Sequence, residues 1–305
     1  MPMDASDAHL ENALDEYNDK VNQLEPLGCS EDLLEAYVNR GCVLYMMEYR
    51  TSAMDDLESA CDVLEALEAQ GFRADAGTFA RIHSTMGSIL FDQEADCTGE
   101  YELVSRRLSE LGPHSRHFDR RSIVRMCIDA CKNLIDSDSP DVAMPFVDRG
   151  MSILSGQSDP WSRNRAVELL GLRAEAQSDM GDAEESIESY SQAIDTAMEL
   201  MDRGQLEDPE ELVMCLVMKA EAENGLGLTD MYIRDVEAAI TILESMMEFN
   251  RLPDPEVLVR LHHDVAGALM NGGRIQDAEK HLLKAMQIGV RGASDYIDVH
   301  GPRNI

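Results

Sequence analysis

The stretch MGDAEESIESYSQAIDTAMEL, residues 180–200, places a small residue, a bulky residue and a second small residue at fixed spacing. Ser186, Tyr190 and Ala193 are separated by four and then three positions, so all three lie on one face of a helix. The small side chains let a neighbouring helix approach closely, and the tyrosine fills the gap between them. The spacing therefore predicts one member of a packed helix pair.

The same spacing recurs along the chain. It is found in Ala53, Leu57, Ala60, then in Tyr232, Val236, Ala239, and again in Ala278, Leu282, Ala285. Another small residue, here called the anchor residue, lies twelve positions before each first member. Two weaker units have the same offsets. One is Gly87 with Gly99, Leu103 and Arg106, and the other is Cys131 with Ala143, Val147 and Gly150. The six anchor residues are Gly41, Gly87, Cys131, Ala174, Ala220 and Ala266.

With glycines at 181, 227 and 273 between paired helices, this pattern resembles the tetratricopeptide repeat. The resemblance implies an all-α, right-handed superhelical solenoid of about six antiparallel helix pairs with a binding groove. The anchors are 43 to 46 residues apart, whereas the standard repeat has a period of about 34 residues. Gly71, Gly204 and Asn250 suggest that second helices run about three turns past the packing residues. Lengthened repeats of this kind also resemble those of kinesin light chains and bacterial peptide-sensing regulators.

The pattern divides the chain into a cap, six repeats and a tail. An amphipathic capping helix is predicted within residues 1–29, and an irregular tail within 291–305. Asp-Pro pairs at 159, 208 and 254 predict helix starts, since aspartate caps a helix and proline fits its first turn. The predicted repeats span about 30–72, 73–112, 116–156, 159–205, 207–251 and 253–290.

The chain is strongly acidic, with 59 acids against 26 bases and a formal net charge of −33. Repulsion by phosphate argues against nucleic acid as a partner, and against an anionic membrane surface. The charge either steers a basic partner or keeps the protein dispersed in a salty cytoplasm. Residues 1–9 lack the apolar stretch of a secretory signal, and no run of 18 apolar residues predicts a membrane span, so we expect a cytoplasmic protein.

Enzyme signatures are missing from the sequence. It contains no GxSxG, P-loop or HExxH pattern, and no CxxC pair. Cys127 and Cys131 are expected to be buried packing residues, and His262 and His263 lie on different faces of one helix. We therefore expect no enzyme activity, no metal ion and no cofactor.

The resemblance places groove residues on the first helix of each repeat. Six positions before the anchors, the chain carries Glu35, Arg81, Arg125, Glu168, Met214 and Arg260. Lys132 follows an anchor directly, and residues 106–125 contain six arginines but two acids. This basic cluster either docks an anionic group or pairs with neighbouring carboxylates. The predicted binding residues are Arg81, Arg125, Lys132, Asn39, Asn224, Arg260 and His263.

These features predict a non-enzymatic scaffold or adaptor that binds a protein or peptide in the groove. Val38 and Cys42 stand where a carboxylate clamp of this family would need Lys and Asn, which argues against that form of recognition. Two alternatives stay open. One is a peptide-sensing regulator whose superhelix changes pitch on binding, and the other is a self-assembling structural subunit. The sequence leaves the choice between monomer and dimer open.

Overall fold

The fold is all-α. A computed structural model describes residues 5–112, 114–249 and 254–300, and side chains are described for 8–112, 114–249 and 254–289. No strand occurs in these ranges. The helices are α1 Ala5–Leu24, α2 Glu31–Met46, α3 Arg50–Glu68, α4 Ala76–Asp92, α5 Thr98–Arg107, α6 Arg120–Asp136, α7 Pro140–Leu154, α8 Pro160–Asp179, α9 Ala183–Asp202, α10 Pro209–Gly225, α11 Thr229–Glu248, α12 Pro255–Asn271 and α13 Ile275–His300. Two short 3₁₀ turns occupy Glu25–Leu27 and Leu108–Glu110.

The chain forms two compact units, Met1–Gly156 and Gln157–Ile305. In unit 1, α2 packs on α3, α4 on α5 and α6 on α7, and α1 lies against α2. In unit 2, α8 packs on α9, α10 on α11 and α12 on α13. Every second helix therefore packs against the first helix that precedes it in the chain.

The small residues of the spacing pattern lie where paired helices meet. Ala53, Ala60, Ser186 and Ala193 are fully buried, and Ala239 is buried equally well. A Cβ atom added to Gly41 would approach the Leu57 side chain to 3.1 Å, which shows how closely α2 and α3 pack. The packing interpretation of the sequence is confirmed at these positions.

Aspartate caps start three first helices as predicted. The side chain of Asp159 accepts a hydrogen bond from the Ser162 backbone N–H, and Asp208 accepts one from Glu210. Asp254 caps α12 in the same way. Each cap is followed by a proline at the first helical position, so the Asp-Pro pairs set where these helices begin.

The turn inside each helix pair contains one residue with positive φ, always seven positions after the anchor. Glycine fills this position at 181, 227 and 273, with φ between 74° and 87°. In unit 1 the same position is occupied by Glu48, Glu94 and Asp138, with φ of 64°, 55° and 58°. The shared backbone conformation relates all six pairs, although half of them lack the glycine that marks it in the sequence.

The predicted packing register of the α4–α5 pair is wrong. Gly99 and Arg106 are exposed, whereas Cys97, Tyr101 and Val104 are buried. These three residues keep the spacing of four and three but begin two positions earlier, so this pair has a shorter connection. Tyr101 fills the space over the anchor Gly87, where an added Cβ atom would lie 2.8 Å from its ring.

The predicted tail is also wrong where the structure describes it. Helix α13 does not end near Gly292 but continues to His300. No proline interrupts residues 291–300, and the first strong helix terminator is Gly301-Pro302, because a proline disfavours helix at the preceding residue. Residues 301–305 lie outside the described residues.

The closely spaced cysteines are buried, as predicted. Cys127 and Cys131 are fully inaccessible and lie on α6 facing α7. Burial raises the pKa of the Cys127 thiol to about 12 and raises the pKa of Cys131 further. Both thiols therefore stay protonated near neutral pH and act as small packing groups.

Two repeats share an ion pair at the same positions, partly buried in one and buried in the other. Arg40 donates two hydrogen bonds of 2.7 Å to Asp56, linking α2 to α3. Lys219 donates one of 2.6 Å to Asp235, linking α10 to α11. Both pairs join the residue before the anchor to a residue of the second helix, so each pair fixes its helices in one register.

Candidate functional site

A cavity of about 330 Å³ lies in unit 1 among the first helices α2, α4 and α6. Arg81 of α4 and Arg125 of α6 both line it, together with residues of α2, α5 and the connection between α5 and α6. Sequence reasoning placed these two arginines at the same repeat position. The structure brings them to one cavity because α4 and α6 are adjacent first helices.

Arg81 is held in place by two neighbours. Its Nη1 donates to the Asn39 side-chain oxygen at 2.5 Å and contacts His117 Nδ1 at 3.0 Å. Since an arginine nitrogen only donates, Nδ1 of His117 is an acceptor and the imidazole proton lies on Nε2. Asn39 was a predicted binding residue; here it orients Arg81.

Glu35 connects this arginine to the α5–α6 connection. His117 Nε2 lies 2.9 Å from one Glu35 oxygen, and Arg116 donates to the other at 2.9 Å. Thr78 of α4 adds a hydrogen bond of 3.1 Å. The bonds from His117, Arg116 and Thr78 outweigh the effect of burial and lower the pKa of Glu35 to about 2.

Residues 114–119, here called the strap, are fixed against the start of α4. The carboxylate of Asp75 accepts hydrogen bonds from the backbone N–H groups of Gly77, at 2.8 Å, and Arg116, at 2.9 Å. A Cβ atom on Gly77 would overlap the carbonyl group of Arg116. Only glycine at position 77 allows this approach, which places His117 and Phe118 in the cavity wall.

Arg125 differs from Arg81 because it is exposed and unpaired. Within the part of the chain that the structure describes, no hydrogen bond or ion pair engages its guanidinium group. Arg125 therefore remains able to contact an anion, and that role stays a prediction. Arg116, another member of that cluster, pairs with Glu35, as the alternative interpretation expected.

The other predicted binding residues do not line this cavity. Lys132 is exposed on α6, two helical turns after Arg125. Asn224 lies near the end of α10, and Arg260 and His263 lie one turn apart on α12, all three exposed in unit 2. Their role in binding stays a prediction.

Sequence reasoning missed the strap. Its residues lie outside any helix and carry no periodicity, so they had no assigned position in the repeat. Two features of the sequence are related to the strap. Asp75 and Gly77 are a capping acid and a glycine at the start of a helix, and residues 106–125 are rich in arginine. These signals do not reveal which loop would fold against α4.

The described residues contain neither a metal-binding cluster nor a membrane-spanning helix. No group of three or more His, Cys, Asp or Glu side chains is arranged to hold a metal ion in the ranges with described side chains. No helix there is both long and apolar enough to cross a membrane.

Comparison with known proteins identifies the class of fold. A family model for the tetratricopeptide repeat matches residues 167–197, which extend from α8 into α9. No curated protein matches the chain. The chain is similar in structure to the apo form of RapI, with a TM-score of 0.57 and 14% identity over 92% of this chain and 77% of that one.

Two further solved structures agree. BtubC (BKLC) from P. vanneervenii gives a TM-score of 0.54 at 14% identity, covering 97% of this chain and 95% of that one. A putative kinesin light chain from Podosopora anserina with nearly identical TPR-like repeats gives 0.52 at 13% identity, covering 73% and 100%. Likeness at these identities concerns the fold. Together with the family match at residues 167–197, it shows an all-α fold like that of tetratricopeptide-repeat proteins.

Proposed function

We propose that the chain is a non-enzymatic scaffold that binds a protein or peptide segment on the first helices of unit 1. The observation that carries this proposal is the cavity shared by Arg81 and Arg125. It lies between adjacent first helices, the surface at which the sequence predicts partner contacts.

The electrostatics of the cavity favour an anionic segment. Arg81 is held by Asn39 and His117, neither of which is an acid, so no direct contact cancels its charge. Arg125 has no partner among the described residues. A bound carboxylate or phosphate would form charge-assisted hydrogen bonds with both groups, and arginine suits the geometry of either anion.

A display library of random peptides, panned against the purified chain, tests this function. Enriched peptides are synthesised, and their affinity is measured by fluorescence anisotropy. Arg125→Glu should weaken binding about tenfold or more, since each charge-assisted hydrogen bond contributes about 1.5–3 kcal/mol. Helix content and melting temperature should not change, because Arg125 is exposed and makes no hydrogen bond or ion pair in the described structure.

Arg203→Glu is the matched control. Arg203 is also exposed but lies in unit 2, outside the predicted binding residues, and its reversal changes net charge equally. Binding that survives Arg125→Glu at low salt, or a library from which nothing is enriched, would overturn the proposal.

The regulatory and self-assembly alternatives make different predictions for the same sample. A regulator should change its small-angle scattering radius when an enriched peptide is added. A self-assembling subunit should gain mass with concentration in light scattering. A scaffold of fixed shape should do neither.

A further inference from the structure

We infer that the unit 1 cavity is a subsite for the phosphoryl group of a phosphomonoester. This inference rests on the proposed function and names the anion that the cavity takes. Three features of the cavity support it, namely the guanidinium nitrogens that are left without a partner, the hydroxyl groups beside them and the volume of the space.

Arg81 presents a fork of N–H groups. An arginine side chain has five N–H donors, two of them on each terminal nitrogen and one on Nε. Asn39 and His117 both contact Nη1, so they occupy that nitrogen. Nε and Nη2 have no partner among the described residues, and these two nitrogens form the edge that binds two oxygens of one anion side by side.

Arg125 adds a second guanidinium group from the neighbouring helix. All of its donors are available within the described structure. A carboxylate has two oxygens and a single negative charge, and the Arg81 fork engages both oxygens side by side. A phosphoryl group has three terminal oxygens and close to two negative charges at neutral pH, so it can engage both arginines at once.

The hydroxyl groups in the cavity wall further favour a phosphoryl group over a carboxylate. Thr85 donates to the Arg81 carbonyl and Ser122 donates to Asp119, so these two hydroxyl protons are already used. Ser88 bonds to Ser84 O and to Tyr101. The Ser84 hydroxyl has no such bond in the described structure and remains able to donate to a third oxygen.

The volume of the cavity suits one side chain. About 330 Å³ is at the lower end of the range for small-ligand sites, enough for a phosphorylated side chain but not for a length of peptide. The strap closes one side with His117 and Phe118. The cavity therefore fits a group that enters end-on from a segment lying outside it.

One acid lines the cavity, counting only residues that the structure describes. Asp129 lies one turn after Arg125 on α6 and opposes the binding of any anion. Two arginines outweigh it, so the cavity favours a group with more than one negative charge. This balance selects a phosphoryl group over a singly charged carboxylate.

Three peptide libraries with the same degenerate flanks test the inference. They carry phosphoserine, serine or glutamate at one fixed position, and their binding to the full chain is measured by anisotropy. The phosphoserine library should bind about tenfold or more tightly than the other two. Arg125→Gln and Ser84→Ala should remove this preference, whereas Arg203→Gln, at an exposed arginine outside the predicted binding residues, should leave it intact.

Competition distinguishes the source of the phosphoryl group. Free phosphoserine and inorganic phosphate are titrated against the bound phosphopeptides. Competition only at concentrations far above that of the peptide supports a phosphorylated segment as the ligand. Competition at equal concentration supports a small phosphomonoester in the same subsite.

The remaining outcomes overturn the inference. If all three libraries bind equally, the subsite is not selective for phosphoryl groups, and the proposed scaffold function stands without it. If no library binds, both proposals fall together. If the phosphoserine preference survives Arg125→Gln, the group binds elsewhere on the chain.

Discussion

Gly77→Ala should detach the strap and change how stability depends on pH. The new methyl group would overlap the carbonyl group of Arg116, and backbone atoms must move to relieve the overlap. The strap is the segment that must move, because Gly77 lies inside the regular helix α4. Its displacement would separate Arg116 and His117 from Glu35.

The size of the effect follows from the pKa of Glu35. Folding lowers this pKa from 4.5 to about 2, and a shift of one pKa unit corresponds to about 1.4 kcal/mol. The contacts of Glu35 therefore stabilise the folded state by at most about 3 kcal/mol above pH 4.5. Because the folded pKa is the lower one, this contribution is lost as the pH falls from about 4.5 towards 2. Exposure of Arg116 reduces the figure through solvent screening, so we expect about 2 kcal/mol.

Urea unfolding followed by circular dichroism, at pH 7 and at pH 3, measures this effect. Gly77→Ala should lower the free energy of unfolding by about 2 kcal/mol at pH 7 and by clearly less at pH 3. Gly99→Ala is the control, since no heavy atom lies within 4 Å of its added Cβ atom. Equal destabilisation by Gly77→Ala at both pH values, or none at either, would refute the link between strap and carboxylate.

Three further changes have defined outcomes. Glu94→Gly should raise the free energy of unfolding by about 1 kcal/mol in the same urea assay. Glu94 adopts a positive φ of 55°, a conformation that favours glycine, and a loss of stability would contradict this reasoning. Glu223→Leu should raise the free energy of unfolding by about 1 kcal/mol at pH 7, because burial raises the pKa of this fully buried carboxyl group, its contact with Lys219 at 3.2 Å compensates that burial only in part, and Leu269 fills the same repeat position. The exposed Glu221→Gln is the control, and a loss of stability in Glu223→Leu would show that the ion pair with Lys219 matters more. Asp129→Asn should tighten the binding of phosphoserine peptides by removing the acid of the cavity, measured by anisotropy, and weaker binding would place the anion elsewhere.

The fold was predictable because its signal is repeated. Packed helix pairs need small residues at their closest approach, and this requirement leaves the same spacing at Ala53, Ser186 and their equivalents. The signal failed in the α4–α5 pair, where a shorter connection moves the register by two positions, so that Cys97, Tyr101 and Val104 take the packing positions. It also failed at the turns of unit 1, where Glu94 adopts a conformation that glycine would have revealed.

The site was predictable only in part. A repeat position is enough to place Arg81 and Arg125 on adjacent helices, so the sequence identified both. The neighbouring residues that decide whether these arginines are free to bind an anion do not recur with the repeat. His117 reaches Arg81 through a loop whose position depends on a single backbone approach at Gly77, and no spacing in the sequence encodes that contact.

The acidity of the chain and its basic cavity act at different distances. A formal charge of −33 repels any polyanion over a Debye length of about 8 Å at physiological salt, which argues against nucleic acid as a partner for most of the surface. A single phosphoryl group meets this repulsion only during approach, and once inside the cavity it contacts Arg81 and Arg125 directly. Pairing with the two arginines therefore outweighs the screened repulsion for one compact anion, but it does not do so for a polyanion. The acidic surface thus restricts which anions reach the cavity, and the two arginines hold the one that does.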